Sequence, residues 1–409
     1  MIVKLRNSFN EMDALKKIIA SFWVIVIYLF SGSAYQTIFS ITNYLLIIGV
    51  VCAIFLVFRF YKVLLYKHLI FISLLFMTLI TMIFNGELFL NFYLRFISVL
   101  IISFYLGTTY SFKEIKSVFV NFMFIVTVIS LIGFFLVNNT TLLNFLPRFS
   151  NINDKEYAIG VIFNYMPVIP ERNCAIFWEP GIFATYLVLA IIFELIYNSK
   201  KYHIIKLVVF YIGLLTANST AGFLLGFITL LFMFYSKVKH KKQNVIMNIV
   251  SMFFLILLLL VILNLDVIIL NSSLANNKYI TKLLSDEFIN SARMKAFVGN
   301  LKLFFDNPIF GVGISSYELS VIPFADISTL TYSLAVFGIL GLMISGGFFI
   351  GIVKQKRLTI FQKIIFIAVL FSILSKEPHL EMLFSWLIFF SLNNNKYATG
   401  EIEGNLYDK

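Results

Sequence analysis

Apolar runs long enough to span lipid recur from residue 17 to residue 393, separated by short polar stretches. A helix needs roughly 20 residues to cross the hydrocarbon core, and fewer where it packs among others. Run length therefore predicts twelve spans, at about 17–32, 41–59, 68–84, 92–109, 117–137, 174–197, 204–217, 220–236, 245–270, 327–352, 361–375 and 380–393. Two of the intervals stand out by length, at about 138–173 and 271–326, and long loops on a rigid frame are where function gathers. One membrane domain is expected over 1–393, followed by a polar, disordered tail at 394–409.

Composition turns this pattern into a class. Hydrophobic residues make up 60% of the chain and charged residues 13%, with a mean hydropathy of +0.94. A soluble domain carries about a quarter charged residues, so the expected fold is all-α and polytopic. The net charge of +12 would suggest nucleic acid in a soluble protein. Here its placement gives a different reason. With the N-terminus in the cytoplasm, every inner connection is basic, from Lys16 and Lys17 through Arg59, Lys62 and Lys67 to Lys354, Lys356 and Arg357. The positive-inside rule requires that bias, and an even number of spans returns the C-terminus to the cytoplasm. No small-residue cleavage site follows the first run, which therefore reads as a retained anchor. Cys52 and Cys174 lie in or beside apolar segments and form neither a disulfide framework nor a metal cluster.

The arginines are the exception to the charge rule. Arg95, Arg148, Arg172 and Arg293 fall outside the membrane or near the outer ends of spans, where inner-side statistics cannot place them. The stretch 172–187, RNCAIFWEPGIFATYL, sets Arg172 seven residues before Glu179, with Pro180 and Gly181 next. In a helix starting near Asn173, Arg172 and Glu179 would share a face over a break at Pro180. That arrangement reads either as a structural ion pair at a kink or as a cavity wall facing substrate. Residues 291–313, SARMKAFVGNLKLFFDNPIFGVG, predict an amphipathic helix at the outer membrane face. Met294, Phe297, Leu301, Phe304 and Phe305 form its apolar side, Lys295 and Lys302 join Arg293, and a glycine turn brings backbone close to a neighbour. Asn218 and Ser219, in the 217–223 link ANSTAGF, either bond a sugar or phosphate or cap the next helix. Arg95 either contacts ligand or snorkels to the interface. Of the four histidines, His68, His203 and His240 fall on inner connections. Only His379, in SKEPHLEM, falls on the outer side as a base or as an ordinary loop residue. The phosphate-loop, zinc-protease and nucleophile-elbow patterns are absent from the sequence.

The order of these pieces resembles the Wzy-type O-antigen (or capsular repeat-unit) polymerases and, more distantly, the O-antigen ligases. The resemblance runs over about 85–390. Its strongest pieces are RNCAIFWEPGIFA, 172–184, and the 291–313 stretch, followed by LTYSLAVFGILGL. It implies a GT-C-like membrane fold with two large periplasmic loops in the bacterial inner membrane. The implied reaction is glycosyl transfer without metal or other cofactor, in lipopolysaccharide or related polysaccharide biosynthesis. A glycan on undecaprenyl pyrophosphate would be the donor, a second lipid-linked repeat unit the acceptor, and a chain-length regulator a further partner besides membrane lipid.

Guanidinium groups bind phosphate bidentately and keep their charge, so a pyrophosphate leaving group makes Arg172 and Arg293 the leading catalytic residues. Arg95 and Arg148 are expected to support them, with Lys295, Asn218, Ser219 and Tyr317 on the binding surface. Glu179, Asp326 and His379 are the candidate bases, Glu179 first on its motif. The ligases carry a His-Asn pair about ten residues before the glycine that here is Gly338. This chain has Ile327 and Ser328 there, beside Asp326, which tells against a ligase. A lipid-linked oligosaccharide flippase stays open as a different class. It would carry its cations within spans of both halves, whereas this chain concentrates them in outer loops.

Overall fold

The computed structural model describes residues 19, 22–39, 41–59, 65–87, 91–139, 141–151, 154–160, 162–197, 203–219, 221–229, 292–355 and 358–393. The predicted span 245–270, the 271–291 part of the second long loop and the tail lie outside the described residues.

Helices dominate. In chain order they are α1 (22–29), α2 (Ala34–Ile38), α3 (Tyr44–Arg59), α4 (Leu65–Phe84), α5 (Asn91–Thr109), α6 (Phe112–Asn139), α7 (Pro180–Tyr197), α8 (His203–Ala217) and α9 (221–229). After these come α10 (Ala292–Asp306), α11 (Tyr317–Ser320), α12 (Thr329–Phe337), α13 (Leu342–Val353), α14 (Ile360–Leu374) and α15 (Leu383–Asn393). Among the described residues, three helical stretches are long and apolar enough to cross a membrane: Asn91–Thr109, Phe112–Asn138 and Thr329–Val353. Shorter apolar helices cover most of the other predicted spans.

The apolar surface suits lipid. On α3, Ile47, Val50, Ile54, Val57 and Phe58 are exposed along one side, a patch too large for a protein in water. The opposite side packs closely on α5, where a Cβ on Gly49 would come within 2.7 Å of Ser98. Gly107 of α5 does the same for α15, its virtual Cβ lying 3.0 Å from that of Phe390. Small residues let helix backbones approach where lipid supplies no hydrophobic driving force. Stacked rings fill the centre, with Phe119 of α6 against Phe384 of α15 at 4.1 Å and Phe71 of α4 against Phe104 of α5 at 4.4 Å.

Hydrogen bonds sort the connections by side. Predicted outer connections meet one another: Ala34 N–H donates to the Ile176 carbonyl (2.9 Å), Asn173 N–H to Thr216 (2.9 Å) and Lys376 Nζ to the Ser219 hydroxyl (3.2 Å). Predicted inner groups pair with each other likewise, Lys206 Nζ with Asn121 Oδ1 (2.7 Å) and Gln355 Nε2 with the Leu392 carbonyl (3.1 Å). Alternating spans demand this separation.

Three departures from the sequence reading bear on the site. The all-α expectation misses the 138–173 loop, which after a 3-10 turn at Thr141–Phe145 holds a three-stranded antiparallel sheet, β1 (Arg148–Ser150), β2 (Glu156–Ile159) and β3 (Asn164–Tyr165). Within its strands Tyr157, Ala158 and Tyr165 are buried, Tyr157 in one apolar cluster and Ala158 and Tyr165 in another. The span expected from 174 starts only at Pro180. The span expected over 327–352 breaks at Gly338–Gly341 into α12 and α13, joined by a turn of 3-10 helix. Gly338 adopts φ +61°, which an L side chain strongly disfavours.

Candidate functional site

Arg172 and Glu179 do not share a helix face. Residues 172–179 run as turns and an isolated bridge, Phe177 pairing with Ser33. Pro180 opens α7 instead of breaking it, because a proline lacks the N–H that a first helical residue leaves unused and its φ is already helical. Glu179 pairs with Lys155 at 2.6 Å, so the expected Arg172–Glu179 pairing is corrected. Both partners keep solvent contact, which makes the pair worth at most about 1 kcal/mol. Arg172 Nε lies 3.4 Å from the Ala217 carbonyl at the C-terminal end of α8, where a cation also meets the favourable end of the helix dipole.

That carbonyl belongs to a turn holding a second cation. Asn218 takes φ +49° and ends α8 in a left-handed conformation, and Ser219 accepts from Gly222 N–H (3.4 Å) at the start of α9. The capping role of this pair is therefore present. Ser219 also accepts from Lys376 Nζ. Lys376 comes from the link between α14 and α15 and lies over the first turn of α7, where a Cβ on Gly181 would sit 3.5 Å from its Nζ and 2.8 Å from the Glu377 carboxylate. Gly181 is thus the residue type that admits this link. Arg172, the 217–219 turn, Lys376 and the start of α7 form one corner at the predicted outer end of the bundle, two cations with the Glu377 carboxylate beside them.

His379 lies in the same link but faces inward. It is buried, its Nδ1 2.8 Å from the Ser385 hydroxyl and its Nε2 3.2 Å from the Ile373 carbonyl. The backbone on either side of it is pinned through Thr329, whose hydroxyl donates to the Glu377 carbonyl and accepts from His379 N–H, both at 2.7 Å. The reading of His379 as an outward-facing base is corrected: both ring nitrogens are engaged and neither meets the outer face. Burial pushes its pKa down to about 4 from 6.5.

A group with a lowered basic pKa binds fewer protons folded than unfolded. Its contribution is complete above pH 6.5 and is lost as pH falls from there through about 4. Thermal unfolding in detergent should show a pH-dependent loss approaching about 3 kcal/mol over that window, in excess of the loss in His379→Gln. Equal losses in the two proteins would show that His379 titrates normally.

The acids and the remaining cation cluster on the other side of the link. Glu381 lies within electrostatic range of Arg95 and of Asp326, above buried Tyr332. Asp326 keeps a solvent-open side, while desolvation by the surrounding protein raises its pKa, as it does that of Glu381. Asp326 thus combines solvent access with a raised pKa. Arg95 Nε donates to the Asn91 carbonyl at 3.2 Å.

Other expected residues lie apart from this rim. Arg148 sits on β1 and pairs with Glu156 of β2 at 3.1 Å, an exposed cross-strand contact. Tyr317 is exposed at the start of α11, after the Ser316 cap. Lys295 is exposed on α10, the helix that also carries Arg293.

Sequence reasoning counted Lys376 among the outer basic residues and Glu377 and Glu381 among the outer carboxylates but gave none of them a role, although three charges in six residues between two apolar spans were a legible signal. It also passed over Glu87, which has no such local signal. No family model matches the chain, and neither a curated protein nor a solved structure matches it.

Proposed function

We propose that the chain is a surface-polysaccharide polymerase. In this reading it transfers a growing glycan from an undecaprenyl-pyrophosphate carrier to a sugar hydroxyl of the next lipid-linked unit on the outer face of the inner membrane. One observation carries the reading: Arg172 and Lys376 come from separate loops to a single turn, Ala217–Ser219, at the outer end of the helices. Two cations at this turn, Lys376 also reaching the first turn of α7 beside the Glu377 carboxylate, suit a pyrophosphate held at the membrane surface. Electrostatic stabilisation of a leaving group is the kind of term that dominates transfer chemistry. Arg293 is proposed to act with them from α10. Asp326 is the proposed base, with Arg95 and Glu381 setting its charge environment. Glu179, held by Lys155, positions the 172–179 segment.

Arg172→Ala, Lys376→Ala and Arg293→Ala are each expected to leave the protein in the membrane while the surface polysaccharide collapses from a ladder to single repeat units on a gel. Arg172→Lys should restore the ladder poorly, because an ammonium cannot form the bidentate fork. Full-length chains from Arg172→Ala and Lys376→Ala alike would remove the pyrophosphate role from this corner.

A further inference from the structure

The second long loop was expected outside the spans, with its 291–313 stretch lying on the outer membrane face, yet part of it is bonded alongside a predicted span. Thr329, at the outer end of α12, is tied to Glu377 and His379 in the predicted outer connection. From there α12 runs nine residues inward, to Phe337, a descent of about 12 Å at 1.5 Å per residue. The turn after α10 is bonded at that lower end. Val312 N–H donates to the Ala335 carbonyl (2.9 Å), Gly313 N–H to Val336 (3.2 Å), and Ile339 N–H to the Pro308 carbonyl (2.7 Å). Backbone at membrane depth must find partners within the protein. Here the break at Gly338 frees α12 carbonyls, and the turn fills them.

The outward side of this element is apolar. At about 100° per residue, Ala296, Asn300 and Leu303 fall on one side of α10, and all three are buried. Val298 and Phe305 fall nearly opposite and are 57% and 73% exposed. The single apolar face expected from sequence is thus two faces, one for the bundle and one exposed among the described residues. The second continues through Ile309, 62% exposed, to Phe310, which stacks at 3.8 Å on Phe84 at the outer end of α4. Phe84 is itself exposed on the apolar surface of α4, and Ile339 and Leu342 continue that surface on the other flank. Lys295 and Lys302 border the strip and are exposed.

We infer that α10 and the Pro308–Gly313 turn form a re-entrant segment lodged in the outer leaflet, with Val298, Phe305 and Ile309 against acyl chains and Lys295 and Lys302 reaching lipid phosphates. Continuity with the lipid-facing side of α4 and the flanking lysines select bilayer lipid as the occupant, since snorkelling ammonium groups meet anionic headgroups at that boundary.

Nitroxide labels on the full chain in nanodiscs of phosphatidylethanolamine and phosphatidylglycerol test this. Single cysteines at Val298→Cys, Phe305→Cys and Ile309→Cys would be compared with Ile54→Cys on the lipid side of α3 and Glu318→Cys on α11, over buried Cys52 and Cys174. Power saturation with oxygen and with a nickel chelate reads the depth. The labels at 305 and 309 are expected to favour oxygen, as at 54, and that at 318 to favour nickel. Nickel-dominated relaxation at both 305 and 309 would place the segment in water. Protection of both from either reagent would mean that a protein surface covers it. Each of these two results overturns the inference.

Discussion

Replacing Glu87 with alanine is expected to destabilise the protein by at least ~4 kcal/mol, because the buried carboxylate accepts from four donors and each stranded donor costs about 1–3 kcal/mol. Oε2 takes the Tyr93 hydroxyl (2.5 Å) and Ile314 N–H (2.8 Å), while Oε1 takes Ser315 N–H and the Ser315 hydroxyl (2.5 Å each). The side chain is an acceptor at every contact, so Glu87→Gln should behave almost as badly as alanine: its amide nitrogen would face donors. Gly313 belongs to the same contact, since a Cβ there would lie 2.6 Å from the Glu87 carboxylate. The measurement is thermal unfolding in detergent, with hydrogen exchange over 311–315 to locate the loss. A Glu87→Gln protein with the wild-type midpoint and wild-type protection would show that the carboxylate does not hold the loop.

That contact shows what a linear reading of this chain could and could not reach. Among the described residues the positions of the apolar helices followed from run length, because a helix that meets lipid must be apolar along its length. Helix starts did not follow. Pro180 looked like a breaker inside an apolar run, but the preceding residues are held in turns by contacts with the chain near Ser33, about 145 residues away by sequence count, and no local pattern encodes a partner so distant. The same reason separated Arg172 from Glu179. Glycines at 311 and 313 were legible as a close approach, and the structure supplies the neighbours, the Val336 carbonyl and the Glu87 carboxylate; the approach of Gly338 to the Ile309 carbonyl was not read. His379 was misplaced because a polar residue in a short outer link was taken to face water. The link instead dips into the bundle, with Leu383 N–H bonded to the Phe30 carbonyl at 3.0 Å. In both cases tertiary hydrogen bonding overrode the local expectation, and both lie at the rim where the proposed chemistry is placed.

Gly338→Ala tests the deepest of these contacts and is expected to lower stability by at least ~3 kcal/mol. Its φ of +61° and ψ of −145° lie where an alanine is strained by about 1–3 kcal/mol. The added Cβ would also fall inside van der Waals contact with the Ile309 carbonyl. Relief of either problem moves the turn. If Gly338 returns toward helical angles, α12 continues and its Ala335 and Val336 carbonyls are reclaimed, which strands the Val312 and Gly313 N–H groups. If the turn yields to the methyl, Ile339 N–H loses Pro308. The two solutions converge on detachment of the 308–313 segment, and with it the lower anchor of α10 and of Arg293. Gly346→Ala on α13 is the matched control, since a Cβ there meets nothing within 4 Å and a helical glycine gains from the change. Unfolding midpoints in nanodiscs should therefore fall for Gly338→Ala and hold or rise for Gly346→Ala. In the proposed polymerase the first variant should also shorten the polysaccharide ladder while the second leaves it intact. Equal midpoints for the two variants would mean that the break at Gly338 is not what seats the loop.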